Sequence, residues 1–141
     1  MIENGILEAL GVDGPTLLQL LITLFVAILF IQSGLDKLFN WKAEQAYYKD
    51  HFKKTILKSS VPLLMPVITI SELAAGFLCG VGFLTLLLSG NQDLGFLGLL
   101  LAALSIIQLF FGQRIAKDFE GAATLVPYFL LTIAGLYVYL L

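Results

Sequence analysis

The residue in this sequence best placed to do chemistry is a carboxylate inside a long apolar stretch. Glu72 is the one charged residue between Val61 and Leu88. It follows Pro62 by ten residues, or about 15 Å along a helix axis, so we expect it near the middle of a bilayer. A charge there costs at least a few kcal/mol unless it faces a helical bundle or a wet cavity, or is protonated. Two interpretations are open: a carboxyl that exchanges a proton beside a quinone or substrate, and a neutral carboxyl that hydrogen-bonds neighbouring helices together.

Two glutamines are further candidates for a quinone site. Gln32 lies near the end of the first apolar stretch, and Gln108 lies in the last part of the third. In the quinone interpretation Glu72 accepts the quinol proton, and one of these amide side chains fixes the headgroup. In the structural interpretation Gln108 forms one hydrogen bond between helices, which is a common use of an amide in a membrane bundle.

Charged residues flank the inner ends of the apolar stretches. Asp36 and Lys37 close the first stretch, and Ser33 shares a helix face with Lys37 because the two residues are four apart. Arg114 follows the third stretch at the same expected depth. We predict an inner-interface charge cluster of Asp36, Lys37 and Arg114. In its sharper form, Asp36 or Lys37 pairs with Arg114 or Asp118.

The residue inventory excludes several kinds of cofactor site. The chain has one cysteine and one histidine, too few for a structural zinc site or an iron–sulfur cluster. We therefore expect no metal and no cofactor bound by the chain's own ligands, and a quinone or a lipid is the small molecule that it could take up. The net charge of −2 provides no basic field, so nucleic acid is not an expected partner.

The composition is that of a membrane protein. Hydrophobic residues make up 59% of the chain and charged residues 13%, and the mean hydropathy is +0.95, whereas soluble domains are about a quarter charged. Continuous Leu-rich runs favour helices over strands, and four runs reach the roughly 20 residues that a membrane span needs. The sequence predicts an all-α integral membrane protein, a single-domain antiparallel bundle of four transmembrane helices. The approximate spans are 16–35, 61–88, 94–111 and 122–141.

The basic residues predict the orientation. All eight Lys and Arg residues fall in two links, at 36–60 and 112–120, and positive links remain cytoplasmic. We therefore expect a bacterial-type inner membrane location, with both termini outside and both basic links in the cytoplasm.

The first basic link has the pattern of a helix. Tyr48, Phe52 and Ile56 recur at intervals of four, Trp41 lies close to their stripe, and lysines occupy the other face. This pattern is typical of an amphipathic helix in the membrane interface. We predict an interfacial helix over residues 41–58, with membrane lipids as its partners.

Small residues predict the helix contacts. Gly76 and Gly80 form a small-xxx-small pair on the face that carries Glu72, and Gly34 in the first span permits the close approach of another helix. We therefore expect Glu72 to point into a contact between helices.

Two motifs resemble the DoxX/DoxD-like family of small four-span membrane proteins. The first span ends in SGLDKLFNW, which contains the Gly-x-x-Lys-Leu pattern of that family at Gly34, Lys37 and Leu38. The second span reads ISELAAGFLCGVGFL, with Glu72 followed by small residues. The lysine-rich first link departs from what we expect to be typical of the family.

The resemblance implies several functions. Some members resemble small subunits of quinone-linked oxidoreductases, and others resemble membrane anchors of soluble oxidoreductases. The primary expectation is a small accessory inner-membrane subunit with a structural or assembly role in a respiratory or other quinone-linked redox complex, or a homo-oligomer. The alternatives are a quinone-binding subunit that uses Glu72 as proton acceptor and a small proton-coupled transporter. The sequence contains no group of residues with the types and spacing of a catalytic site.

Overall fold

The computed structural model describes residues 5–141, and this part of the chain is helical with no strand. Four of its helices are long and apolar enough to cross a membrane, which confirms the predicted all-α four-span class. The six helices are α1 (Ile6–Leu10), α2 (Gly14–Phe39), α3 (Trp41–His51), α4 (Val61–Ser89), α5 (Asp93–Ile115) and α6 (Phe119–Tyr139).

Side-chain and glycine caps fix the ends of the spanning helices. The Asp13 carboxylate accepts a hydrogen bond from the Thr16 amide at 2.7 Å, and the Asp118 carboxylate accepts one from the Gly121 amide at 2.9 Å. These caps satisfy amides that have no partner within the helix. Gly90 ends α4 in the left-handed conformation, with φ of 73°, which glycine adopts without steric cost.

The Asp13 cap makes the stability of the bundle depend on pH. Hydrogen bonds from Thr16 lower the pKa of Asp13 in the folded protein. The cap therefore contributes its full stabilising free energy above the unfolded pKa of about 3.9. This stabilisation is lost as the pH falls through the lower folded pKa. We expect Asp13→Ala to lower the free energy of unfolding by about 1 kcal/mol at pH 7. Asp13→Asn should retain the cap at pH 7 and remove this pH dependence. Denaturant unfolding in detergent at pH 7 and pH 3 measures both; equal stability of the alanine variant and the wild type at pH 7 would contradict the expectation.

Glycines allow the spanning helices to approach closely. A Cβ atom on Gly76 would lie 2.7 Å from the Ile31 amide nitrogen of α2, and one on Gly98 would lie 2.7 Å from the Cys79 amide nitrogen of α4. The predicted close contacts at Gly34 and Gly76 are confirmed. A Cβ on Gly80, by contrast, would meet only the tip of Ile31 at 3.9 Å. Gly82 and Gly95 form a further backbone contact between α4 and α5 that the sequence interpretation missed.

The inner ends of the helices are staggered. Gly34 packs against Leu73, and Gly76 packs against Ile31, so antiparallel α2 ends at Phe39 near the level of Ile68. The first two turns of α4 therefore continue about 10 Å beyond the end of α2. This stagger leaves space between α4, α5 and α6 that α2 does not fill.

The first basic link covers that space, but it is not one long helix. Helix α3 ends at His51, and turns follow it through residue 60, so the predicted helix over residues 41–58 is too long. Phe52 is buried with Val61 and Met65, whereas Ile56 is 81% exposed and does not continue the stripe. The chain turns at Phe52 because its ring packs against the start of α4. The location of α3 in the membrane interface stays a prediction.

Candidate functional site

A buried ion pair joins α2 to α4. The Lys37 Nζ atom donates to Glu72 Oε2 at 3.1 Å and to Glu72 Oε1 at 3.3 Å. Ser33, one turn before Lys37 on α2, donates its hydroxyl to Glu72 Oε2 at 2.9 Å and accepts from Lys37 at 3.1 Å. The lysine and glutamate side chains are 9% and 1% exposed. These three residues form one closed polar cluster, which we call the Ser33–Lys37–Glu72 cluster.

The partner of Lys37 differs from the predicted one. We expected pairing with Asp118, but the structure pairs Lys37 with Glu72, because the glycine contacts bring Gly34 to the level of Leu73. The predicted inner-interface cluster is also not assembled. Asp36 is exposed, and the Arg114 guanidinium lies over the Phe119 ring at 4.5 Å.

Asp118 lies instead near the one histidine of the chain. Its carboxylate is 3.7 Å from His51 Nε2, and the same nitrogen lies 2.6 Å from Gln113 Oε1. This contact ties the end of α3 to α5 and to the link between α5 and α6.

The ion pair explains how a carboxylate is accommodated inside the bundle. Removing a charge from water costs several kcal/mol, and a close opposite charge with further hydrogen bonds offsets that cost. Glu72 has both, since Lys37 supplies the charge and Ser33 supplies a hydroxyl. The expectation that Glu72 faces the bundle is confirmed, since its carboxyl group contacts Lys37 and Ser33 of α2.

The cluster lines a cavity. The cavity has a volume of about 390 Å³ and extends from the cluster into the space beyond the end of α2. Helix α2 contributes only Ser33 and Lys37 to its lining, while α3 and the following turns contribute Tyr48, Phe52 and Leu57. The remaining walls come from α4, α5 and α6 and are mainly apolar.

The structure separates the two predicted glutamines. Gln108 lines the cavity that Glu72 also lines. Gln32 is exposed and is not among the lining residues, because it lies one position before Ser33 and faces another side of α2. Gln108 therefore remains a candidate headgroup residue, and the structure removes Gln32 from the cavity.

Three apolar lining residues have exposed side chains. Leu64 and Val67 of α4 and Phe111 of α5 line the cavity and are also exposed. These side chains lie in helices that qualify as membrane spans. The cavity therefore has an apolar rim, through which a hydrophobic molecule could reach the cluster from the lipid.

The sequence interpretation missed three polar lining residues, Tyr48, Gln113 and Thr124, as site residues. Tyr48 was interpreted only as part of an interfacial stripe, and the other two were not considered. The sequence pattern did not signal the end of α3, because Ile56 continues the spacing of Tyr48 and Phe52 although the helix ends at His51. Among the described residues, no three His, Cys, Asp and Glu side chains are grouped to hold a metal ion.

Comparison with known sequences identifies the family. A sequence model of the DoxX family matches residues 18–109, more than half of the chain, and this range includes Ser33, Lys37, Glu72 and Gln108. Comparisons with curated proteins and with solved structures find no match. The motifs at the end of α2 and in α4, the four spans and the matched range agree: the chain belongs to the DoxX family.

Proposed function

We propose that this protein is an accessory membrane subunit that binds a quinone in the cavity beside the Ser33–Lys37–Glu72 cluster. The observation that carries the proposal is the combination of a buried hydrogen-bonding cluster with a mainly apolar cavity of about 390 Å³. Cavities that bind small molecules are typically 300–1,000 Å³ and combine apolar walls with a few placed polar groups.

The form of the cavity suits a molecule with a small polar head and a hydrophobic tail. A quinone carbonyl accepts hydrogen bonds, and the lining offers the Lys37 ammonium and the Gln108 amide as donors. The exposed rim residues Leu64, Val67 and Phe111 offer the tail a route to the lipid. Glu72, as a carboxylate, is the lining group that can accept a proton from a quinol hydroxyl.

The residue inventory supports an accessory role. With one cysteine and one histidine, the chain lacks the ligands for an iron–sulfur cluster or a bis-histidine haem. Electrons to or from the quinone would then pass through a redox centre of a partner protein. The proposal therefore includes association with a quinone-linked redox complex of a bacterial-type inner membrane. It also includes cytoplasmic basic links at 36–60 and 112–120, which place the cavity on the inner side.

The two glutamines provide a matched test of this proposal. The purified protein in mild detergent is titrated with a short-chain benzoquinone. Gln108→Leu is expected to lower its affinity about threefold to tenfold, because one hydrogen bond contributes about 0.5–1.5 kcal/mol. Gln32→Leu removes the same group outside the cavity and should leave the affinity unchanged.

Glu72→Gln tests the cluster in the same titration. The amide retains the shape of the side chain but removes the charge that holds Lys37, so we expect a loss of affinity on the order of tenfold, as for a hydrogen bond to a charged group. Wild-type protein that does not bind benzoquinone would refute the proposal. Equal affinities of the Glu72→Gln variant and the wild type would leave the ion pair with a structural role only.

A further inference from the structure

The polar group that α3 contributes to the cavity lining is the Tyr48 hydroxyl. Tyr48 belongs to α3, whereas the Ser33–Lys37–Glu72 cluster belongs to α2 and α4. Its half-buried ring is stacked on Phe52, with ring centroids 6.3 Å apart and planes at 15°, and it packs with Phe52 against the start of α4. The ring position is therefore fixed by packing.

The Tyr48 hydroxyl has an unused hydrogen-bonding capacity. Within residues 5–141 it has no hydrogen-bond partner, and Tyr48 lines the cavity. Burial, followed by the negative charges of Glu44 and Glu72, raises the pKa of Tyr48 to about 12. The hydroxyl is therefore protonated at physiological pH and is available as a donor.

We infer that Tyr48 is a further hydrogen-bond donor to the ligand headgroup, and that the negative charges near its hydroxyl favour a neutral oxygen acceptor over an anionic one. This inference rests on the proposed quinone site and specifies its ligand as an uncharged molecule. A carbonyl or ether oxygen fits a protonated hydroxyl at the cavity wall.

The surrounding charges disfavour an anionic headgroup. Glu44 and Glu72 act on the Tyr48 hydroxyl as negative charges. Lys37, the cation that lines the cavity, already contacts both oxygens of Glu72 and the hydroxyl of Ser33. Its positive charge is thus balanced by the Glu72 carboxylate, and no unpaired cation among the described lining residues is left to bind a carboxylate or a phosphate.

The neighbouring tyrosine provides a matched control. Tyr47 is 55% exposed and does not line the cavity, so Tyr47→Phe removes the same oxygen one residue away. Three probes with the same alkyl tail are titrated into the purified full chain: a benzoquinone, an alkylbenzene without oxygen, and a fatty acid. Thermal unfolding of each variant checks that its fold is unchanged.

Tyr48→Phe is expected to weaken benzoquinone binding about threefold to tenfold, to leave alkylbenzene binding unchanged, and not to weaken fatty acid binding. Tyr47→Phe should change none of the three affinities. Equal affinities of Tyr48→Phe and wild type for the benzoquinone would overturn the inference about Tyr48. If Glu72→Gln still lowered the benzoquinone affinity in that case, the proposed function would stand. Tighter binding of the fatty acid than of the benzoquinone by the wild type would overturn the preference for a neutral ligand. A wild type that binds no benzoquinone would overturn both proposals.

Discussion

Glu72→Ala is expected to lower the free energy of unfolding by about 3–5 kcal/mol, the usual cost of removing one partner of a buried ion pair. The variant leaves the ammonium of Lys37, whose side chain is 9% exposed, without its carboxylate. The Ser33 hydroxyl also loses its acceptor. Reversible unfolding in mixed detergent micelles measures the change.

A double variant separates stability from function. Lys37→Met with Glu72→Leu replaces the pair by apolar side chains of similar volume, which is often neutral or stabilising. We expect the double variant to recover most of the unfolding free energy that Glu72→Ala loses. Its affinity for benzoquinone should nevertheless be as low as that of Glu72→Ala. An unchanged unfolding free energy for Glu72→Ala would contradict the stabilising role of the pair. Full quinone affinity in the double variant would show that the pair does not hold the ligand.

Gly76→Ala is expected to lower the free energy of unfolding by about 1–3 kcal/mol, as overpacking typically does. The new Cβ would lie 2.7 Å from the backbone nitrogen of Ile31, and a backbone atom cannot move aside without separating α2 from α4. Because the ion pair spans the same two helices, this variant should also lower quinone affinity.

Gly80→Ala is the matched control for this contact. Its Cβ would lie 3.9 Å from the end of the Ile31 side chain, an ordinary contact distance. Alanine in a helix interior is favoured over glycine by about 1 kcal/mol, so we expect unchanged or slightly higher stability. Equal losses for the two variants, measured by unfolding in micelles, would contradict the contact between α2 and α4 at Gly76.

Hydropathy was sufficient to predict the spanning helices. The apolar run predicted at 61–88 corresponds to α4 at Val61–Ser89, because a segment that crosses lipid must bond its backbone internally and expose apolar side chains. The inward orientation of Glu72 followed from the same argument, since a charge cannot face the lipid without a large cost.

The partner of Glu72 did not follow from composition or periodicity. Lys37 is 35 residues away, and its apparent depth at the end of a span favoured an aqueous partner. What sets the pairing is the register between α2 and α4, fixed by the contacts of Gly34 and Gly76. An antiparallel alignment of α2 and α4 through these two glycines would have placed Lys37 beside Glu72.

The cavity could not be predicted from any single segment. It exists because α2 ends at Phe39 while α4 begins two turns further along the bundle, and because α3 ends at His51 and turns over the space. Helix lengths can be inferred to within a few residues, but a stagger of two turns depends on the register. Tyr48 was consequently assigned to the interface and not to the cavity lining.

The most direct test of the central claim is an experimental structure of the full chain with a bound short-chain benzoquinone. The account predicts the quinone ring in the cavity beyond the end of α2. One carbonyl oxygen should lie within hydrogen-bonding distance of Lys37 or Gln108, and the tail should pass between Leu64 and Phe111 towards the lipid. A benzoquinone bound elsewhere, with the cavity filled by the chain's own side chains, would contradict it.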